Sequence, residues 1–207
     1  MWCYYFCKFF AMIFYGVVYP HKVIGKENLP KDKNYILVSN HYGKIDILVI
    51  SALFKRRPYF LAKKELMEGK FWGKVLKHYG LIPVDRSKAD ILALKQCFTV
   101  LKQGENLAIF PEGTRNKVND ELQELKGGAS LIALKAGVPV VPVMMYKRFR
   151  PFRRNFVRIG KQFDYEEFKG QKATAEVVEA TEKIMREKMI ECREELVEIV
   201  EKGRKRV

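Results

Sequence analysis

His41 and Asp46 stand five residues apart in the stretch Ser39-Asn-His-Tyr-Gly-Lys-Ile-Asp46. An imidazole within reach of a carboxylate can work as a general base. The carboxylate holds one ring nitrogen and stabilises the imidazolium, while the other nitrogen takes a proton from a hydroxyl. On a regular helix, residues i and i+5 lie about 140° apart by the 3.6-residue period, so the pair meets only if the chain turns before a helix begins. Gly43 permits that turn. A capping aspartate beside an unconnected histidine is the alternative reading of these two residues alone.

A second group of reactive types is Phe110-Pro-Glu-Gly-Thr-Arg115. Arg115 offers a planar fork for phosphate oxygens, and Gly113 lets backbone N–H groups approach an anion. Glu112 can accept hydrogen bonds from glycerol hydroxyls or fix Arg115. A plain Pro-Gly turn with solvated charges is equally compatible with these letters. Arg86, in Val84-Asp-Arg-Ser87, follows a short apolar run and is a further candidate phosphate contact, as are Lys63 and Lys64 after the run 59–62. The segment Val138-Pro-Val-Val-Pro-Val143 is apolar throughout. Its prolines suit a strand start or edge, and it reads as core or as a wall facing an acyl chain.

Around these residues, composition narrows the function classes. With 48% hydrophobic and 30% charged residues, the 207-residue chain has the balance of one folded domain rather than a disordered segment. The net charge of +15 is unevenly placed: residues 171–207 carry nine basic and nine acidic side chains, so the whole excess lies before them. Such a field attracts phosphates, anionic headgroups or nucleic acid, and no recognised nucleic-acid motif accompanies it. Cys3, Cys7, Cys97 and Cys192 form no CxxC pair, and with only His21, His41 and His78 as imidazoles no zinc spacing can be assembled. They read as reduced, packed thiols.

The elements that must position the chemistry alternate between strand and helix. Apolar runs at 35–39, 59–62, 82–84, 106–110, 138–145 and 156–159 read as short buried strands. Periodic stretches at 45–54, 65–78, 90–102 and 128–136 read as helices, the last closed by Gly137. This pattern predicts an α/β fold, a layered sandwich around a largely parallel sheet. Residues 174–202 carry Val177, Val178, Ile184, Met185, Met189, Cys192, Leu196 and Ile199 on one stripe among i, i+4 charge pairs, predicting a long C-terminal amphipathic helix. Residues 1–19 hold one charge, Lys8, among many aromatics. A helix of that length spans about 28 Å, just short of a hydrocarbon core. It reads as an N-terminal membrane-associating helix embedded at the interface. Residues 1–20 are thus expected to be a membrane-associating segment and 21–207 the functional domain.

Four separated pieces, His41-x4-Asp46, Gly80-Leu-Ile-Pro-Val-Asp-Arg86, Phe110-Pro-Glu-Gly-Thr-Arg115 and Val138-Pro-Val-Val-Pro-Val143, occur in the order and spacing of the motif blocks of the glycerophospholipid acyltransferases, which the chain resembles over roughly residues 22–165. The resemblance implies acyl transfer from acyl-CoA or acyl carrier protein to the sn-2 hydroxyl of 1-acyl-glycerol 3-phosphate, giving phosphatidic acid. It implies His41 as general base and Asp46 as its orienting partner. Arg86, Glu112, Gly113 and Arg115, with Lys63, would bind the glycerol phosphate. It implies no metal and no cofactor beyond the donor substrate. The implied partners are membrane lipids, a lysophospholipid acceptor and the thioester donor, with no nucleic acid, at the cytoplasmic face of a bacterial inner membrane. Many members have Ser or Thr where Gly43 stands, so a hydroxyl contact in that loop is missing here. Acylation of another lysolipid or of glycerol 3-phosphate, or a non-catalytic membrane-surface module, are the competing readings.

Overall fold

The computed structural model describes residues 13–204 except 14, 55, 70–72, 74, 75, 77, 86, 88, 89 and 169. Seven strands form one sheet: β1 (His21–Ile24), β2 (Ile36–Ser39), β3 (Tyr59–Lys63), β4 (Leu81–Val84), β5 (Leu107–Ile109), β6 (Val140–Met145) and β7 (Asn155–Ile159), in the order β1-β7-β6-β2-β5-β3-β4. The block from β6 to β4 is parallel throughout. β7 runs antiparallel to β6, and β1 is parallel to β7. The expected α/β sandwich is therefore what forms, with the β1–β7 pair added at one side, antiparallel to the rest of the sheet.

Why the sheet is layered follows from side-chain alternation. Ile36, Val38, Leu107, Ile109, Val140 and Met144 point to one face, where α2 (Ile91–Lys102), α3 (Gly128–Ala136) and α4 (Ala175–Arg204) cover them. Leu37, Ala108, Val141, Val143, Met145 and Val157 point to the other, against Val49 and Ile50 of α1 (Asp46–Leu53). A strand buried on both faces must be a continuous apolar run, which is how β2, β5 and β6 read.

Helix ends follow local rules. The Asp90 side chain accepts the Ala93 N–H at 3.0 Å and caps α2. Gly137, with φ 61°, takes the left-handed position that ends α3. On α4 the buried stripe is Met185, Met189, Cys192, Leu196 and Val200. Ile199, expected on that stripe, is 39% exposed, because the step from Leu196 to the next inward position is four residues here.

Three expectations change. A strand at His21–Ile24 was not anticipated; its partner β7 is more than 130 residues away (His21 opposite Asn155), so no local pattern announces it. Pro142 lies in the interior strand β6, opposite Val38 of β2, and not at a start or edge. The sheet tolerates it because its carbonyl faces the β7 side, accepting the Gly160 N–H at 2.8 Å; its missing N–H falls on that same side, outside the β2 ladder. Of the helix expected over 65–78, Lys64–Met67 forms a 3-10 turn and most of the remainder lies outside the described residues. Residues 1–12 do too, so of the segment 1–20 expected to associate with a membrane only the end is described, where 15–18 are helical. Among the described residues no helix is long and apolar enough to cross a membrane.

Candidate active site

The carboxyl ends of the two central strands β2 and β5 place the reactive residues side by side, as adjacent crevice-forming ends of a parallel sheet do. β2 delivers Asn40 and His41, and the loop then turns so that the Asp46 N–H donates to the Gly43 carbonyl at 3.3 Å before α1 starts. The turn brings Asp46 Oδ2 to 2.8 Å from His41 Nδ1. The same oxygen accepts the N–H groups of Tyr42 at 2.6 Å and Gly43 at 2.7 Å. A single oxygen thus fixes both the ring and the loop that carries it. A carboxylate oxygen can only accept, so this bond is made with a proton on Nδ1, and Nε2 is the ring nitrogen that Asp46 leaves unoccupied. Asp46 is fully buried, whereas the His41 side chain keeps 13% of its surface in contact with solvent. Its ring stacks on Phe110 with centroids 4.1 Å apart.

The loop after β5 braces this pair from beneath. Glu112 is buried, its Oε1 accepting the His41 N–H at 2.9 Å and its Oε2 the Gln123 N–H at 3.4 Å. Burial pushes its carboxyl up to about 7, with the nearby Asp46 charge adding to the rise and the two backbone donors opposing it. Gly113 takes a left-handed φ of 64° and its N–H closes a turn on the Phe110 carbonyl. The backbone conformation calls for glycine there; a Cβ would sit 2.8 Å from Lys126 Cδ, on a flexible side chain that can move aside.

Of the residues assigned to phosphate, Arg115 is exposed on the outer side of this loop, and no hydrogen bond or ion pair of its side chain is found among the described residues. Lys63 ends β3, half-exposed, 3.1 Å from Glu65. Its neighbour Lys64 pairs with Asp85 at 2.7 Å. Arg86 lies outside the described residues; its neighbours Asp85 and Ser87 follow the carboxyl end of β4. The structure therefore joins His41, Asp46 and Glu112 directly, with Gly113 beside them, and leaves Arg115 and Lys63 apart on the same edge.

Sequence reasoning missed two asparagines. Asn40, buried, donates to the Met145 carbonyl and accepts the Met145 N–H, both at 2.9 Å, tying the histidine loop to β6. Asn116, also buried, donates its N–H to the His41 carbonyl at 2.7 Å and organises 116–121 through its side chain. The signal available was their adjacency to His41 and Arg115 and the liking of Asn for side-chain-to-backbone turns.

Beside His41 opens a cavity of about 400 Å³, walled by Leu61, Val84, Leu94, Ile109, Phe110 and Ile132. Asp85, Asp90 and Lys126 are the charged groups in its lining. Phe110 is shared between the cavity wall and the His41 ring. Cys97 and Cys192 are buried, and burial pushes both thiols up to about 12, which leaves them unreactive.

The fold is thus an α/β protein with a carboxylate-bonded histidine at the carboxyl edge of its parallel sheet, sharing Phe110 with a largely apolar cavity. The family model described as Acyltransferase matches residues 21–146, more than half of the chain, and the protein belongs to that acyltransferase family. Similar curated proteins include the 1-acyl-sn-glycerol-3-phosphate acyltransferase of Bacillus subtilis, 37% identical over 122 residues that cover 58% of this chain and 60% of that one. Its namesake in Borreliella burgdorferi is 35% identical over 141 residues, covering 65% and 54%. The chain thus spans little more than half the length of these curated relatives. The crystal structure of the 1-acyl-sn-glycerophosphate (LPA) acyltransferase, PlsC, from Thermotoga maritima superposes with a TM-score of 0.68 at 27% identity, over 91% of this chain and 78% of that one.

Proposed function

We propose that the protein moves a fatty acyl group from a thioester, acyl-CoA or acyl carrier protein, to the free sn-2 hydroxyl of 1-acyl-glycerol 3-phosphate, giving phosphatidic acid. The observation that carries this reading is the 2.8 Å contact between His41 Nδ1 and the buried Asp46, which turns Nε2 into the proton acceptor. In the forward step the acceptor oxygen bonds to the thioester carbonyl carbon as its proton passes to Nε2. The tetrahedral intermediate then collapses, the C–S bond breaks, and the thiolate leaves with the proton from the imidazolium. Asp46 stabilises that imidazolium without itself taking the proton. No covalent enzyme intermediate and no metal are required.

The cavity beside Phe110 suits an acyl chain, with its apolar wall from β3, β4, α2 and α3. Arg115 and Lys63, with Arg86, supply cations on the same edge for the phosphate of the acceptor. Glu112 serves in this scheme by holding the His41 backbone rather than by touching glycerol. Residues 1–20 would keep the domain 21–207 at the membrane surface, where the acceptor resides.

The test is formation of phosphatidic acid by the purified chain from each thioester donor, with lysophosphatidic acid compared to monoacylglycerol as acceptor. Product is expected, and loss of the phosphate should lower kcat/KM roughly 10- to 100-fold, the range of charge-assisted contacts. No transfer from either donor overturns the proposal; equal use of both acceptors removes the phosphate-binding part of it.

A further inference from the structure

The loop joining β6 to β7 is the most concentrated positive charge on the described surface. Tyr146-Lys-Arg-Phe-Arg-Pro-Phe-Arg-Arg154 places five cations in nine residues. Lys147, Arg148, Arg150, Arg153 and Arg154 line one open depression of about 290 Å³ whose lining contains no acidic residue. Lys147 reaches Asp120 at 3.2 Å and Arg148 donates to the Asn116 carbonyl at 3.1 Å, so these two are anchored to the loop behind His41. The side chains of Arg150, Arg153 and Arg154 are exposed and form no ion pair among the described residues.

This loop is built rather than loose. Asn155, 9% exposed, accepts the Arg150 N–H at 2.9 Å and donates to the carbonyls of Arg150 at 3.1 Å and Arg153 at 2.8 Å. At its tip Phe152 takes a left-handed φ of 56°, alone among the described non-glycine residues, and its ring is 75% exposed between Arg150 and Arg153. An aromatic held outward in a disfavoured backbone conformation is a feature that marks sites of contact more than sites of packing. The Phe152 N–H donates to the Val18 carbonyl at 2.6 Å, placing the tip against the helical residues 15–18. There Val17 is 68% exposed and, one turn earlier, Ile13 is 51% exposed. The surface therefore combines a phenyl wedge, two aliphatic side chains and unpaired guanidiniums.

We propose that the β6–β7 loop is a second membrane contact, with Phe152 entering the interfacial layer and Arg150, Arg153 and Arg154 gripping the phosphates of anionic lipid headgroups. Guanidiniums alone would fit any phosphate ligand, including the nucleotide of a thioester donor or an acidic carrier protein. The exposed phenyl and its continuity with Ile13 and Val17 favour a bilayer, since aromatic side chains settle at the headgroup boundary and cations flank them there. Met145, the last residue of β6, is bonded to Asn40, so the loop lies on the edge that carries His41. Docking it would set that edge against the lipid surface. This deepens the proposed function, but it is read out by vesicle binding and not by turnover.

The test uses the full chain with phosphatidylcholine vesicles, with and without a phosphatidylglycerol fraction. The triple variant Arg150→Ala, Arg153→Ala, Arg154→Ala is expected to lose on the order of 10- to 100-fold in affinity for the anionic vesicles and little for the neutral ones. Phe152→Trp should show a blue-shifted added emission on anionic vesicles, read as the difference from the parent with its natural Trp2 and Trp72. An unchanged preference for phosphatidylglycerol in the triple variant, or an added emission that stays that of a water-exposed indole, overturns the proposal. So does a triple variant that binds vesicles normally while its KM for acyl-CoA or acyl carrier protein rises, which would assign the patch to the donor. A chain that binds vesicles as described yet makes no phosphatidic acid would sink the proposed activity and leave this contact standing.

Discussion

Two sets of candidate site residues share one edge of the sheet and are held in opposite ways. His41, Asp46 and Glu112 are buried or nearly so: Asp46 accepts the Tyr42 and Gly43 N–H groups, Glu112 accepts the His41 N–H, and the His41 ring is bonded to Asp46. Arg115 and Lys63 stand at the surface on long side chains, Lys63 with the exposed Glu65 as its one ion-pair partner among the described residues. The contrast follows what each must do. A base must hold an angle and a tautomer before substrate arrives, because positional error is costly in the transition state. A cation that attracts a phosphate can wait in solvent and close on its ligand, with surface pairing contributing little meanwhile. Substitutions in the first set should therefore change kcat, and in the second chiefly KM.

The largest effect short of deleting the imidazole is expected from Asp46→Asn. Asn keeps an oxygen for the Tyr42 and Gly43 N–H groups but removes the charge facing the ring, so kcat should fall on the order of 10²- to 10³-fold with the fold intact. Steady-state kinetics beside circular dichroism checks it; a change in KM alone would break the contrast. Next comes Glu112→Gln, read as stability against pH. Glu112 has its folded pKa raised to about 7 from an ordinary 4.5, so the folded state holds the proton more tightly than the unfolded chain. Stability is then greatest below about pH 4.5, declines as pH rises toward 7, and is level above; the decline attributable to this group is at most about 3 kcal/mol. Glu112→Gln should remove that part of the slope in denaturant titrations, while an unchanged slope would show that the carboxyl ionises normally.

Arg115→Ala should raise KM for lysophosphatidic acid roughly tenfold, with kcat within about threefold. A fall in kcat without a change in KM would place Arg115 in the rigid set. The smallest effect belongs to Gly43→Ser. A Cβ at Gly43 would meet Asp46 Oδ1 at 3.8 Å and nothing closer, and Oδ1 is buried without a hydrogen bond among the described residues. The added hydroxyl can reach it, so melting temperature should hold or rise and kcat should change less than about threefold.

The geometry was legible where it is local. His41 and Asp46 needed only a short loop with a glycine, and α2 and α3 announced themselves by period and by Asp90 and Gly137. What escaped was set by distant partners. β1 exists because β7 lies beside it, and Pro142 is admitted to an interior strand by where Gly160 falls. Glu112 could be named by its place in a polar motif, but its bonds to the His41 and Gln123 N–H groups are a relation that the loops of two strands create only once the sheet is assembled.

The most direct measurement is phosphatidic acid formation in a single turnover, with lysophosphatidic acid and acyl thioester saturating, for the purified protein and for His41→Ala. The account predicts a rate lower by about 10³-fold or more in the variant, with unaltered vesicle binding and melting temperature. Equal single-turnover rates in the two proteins would contradict it.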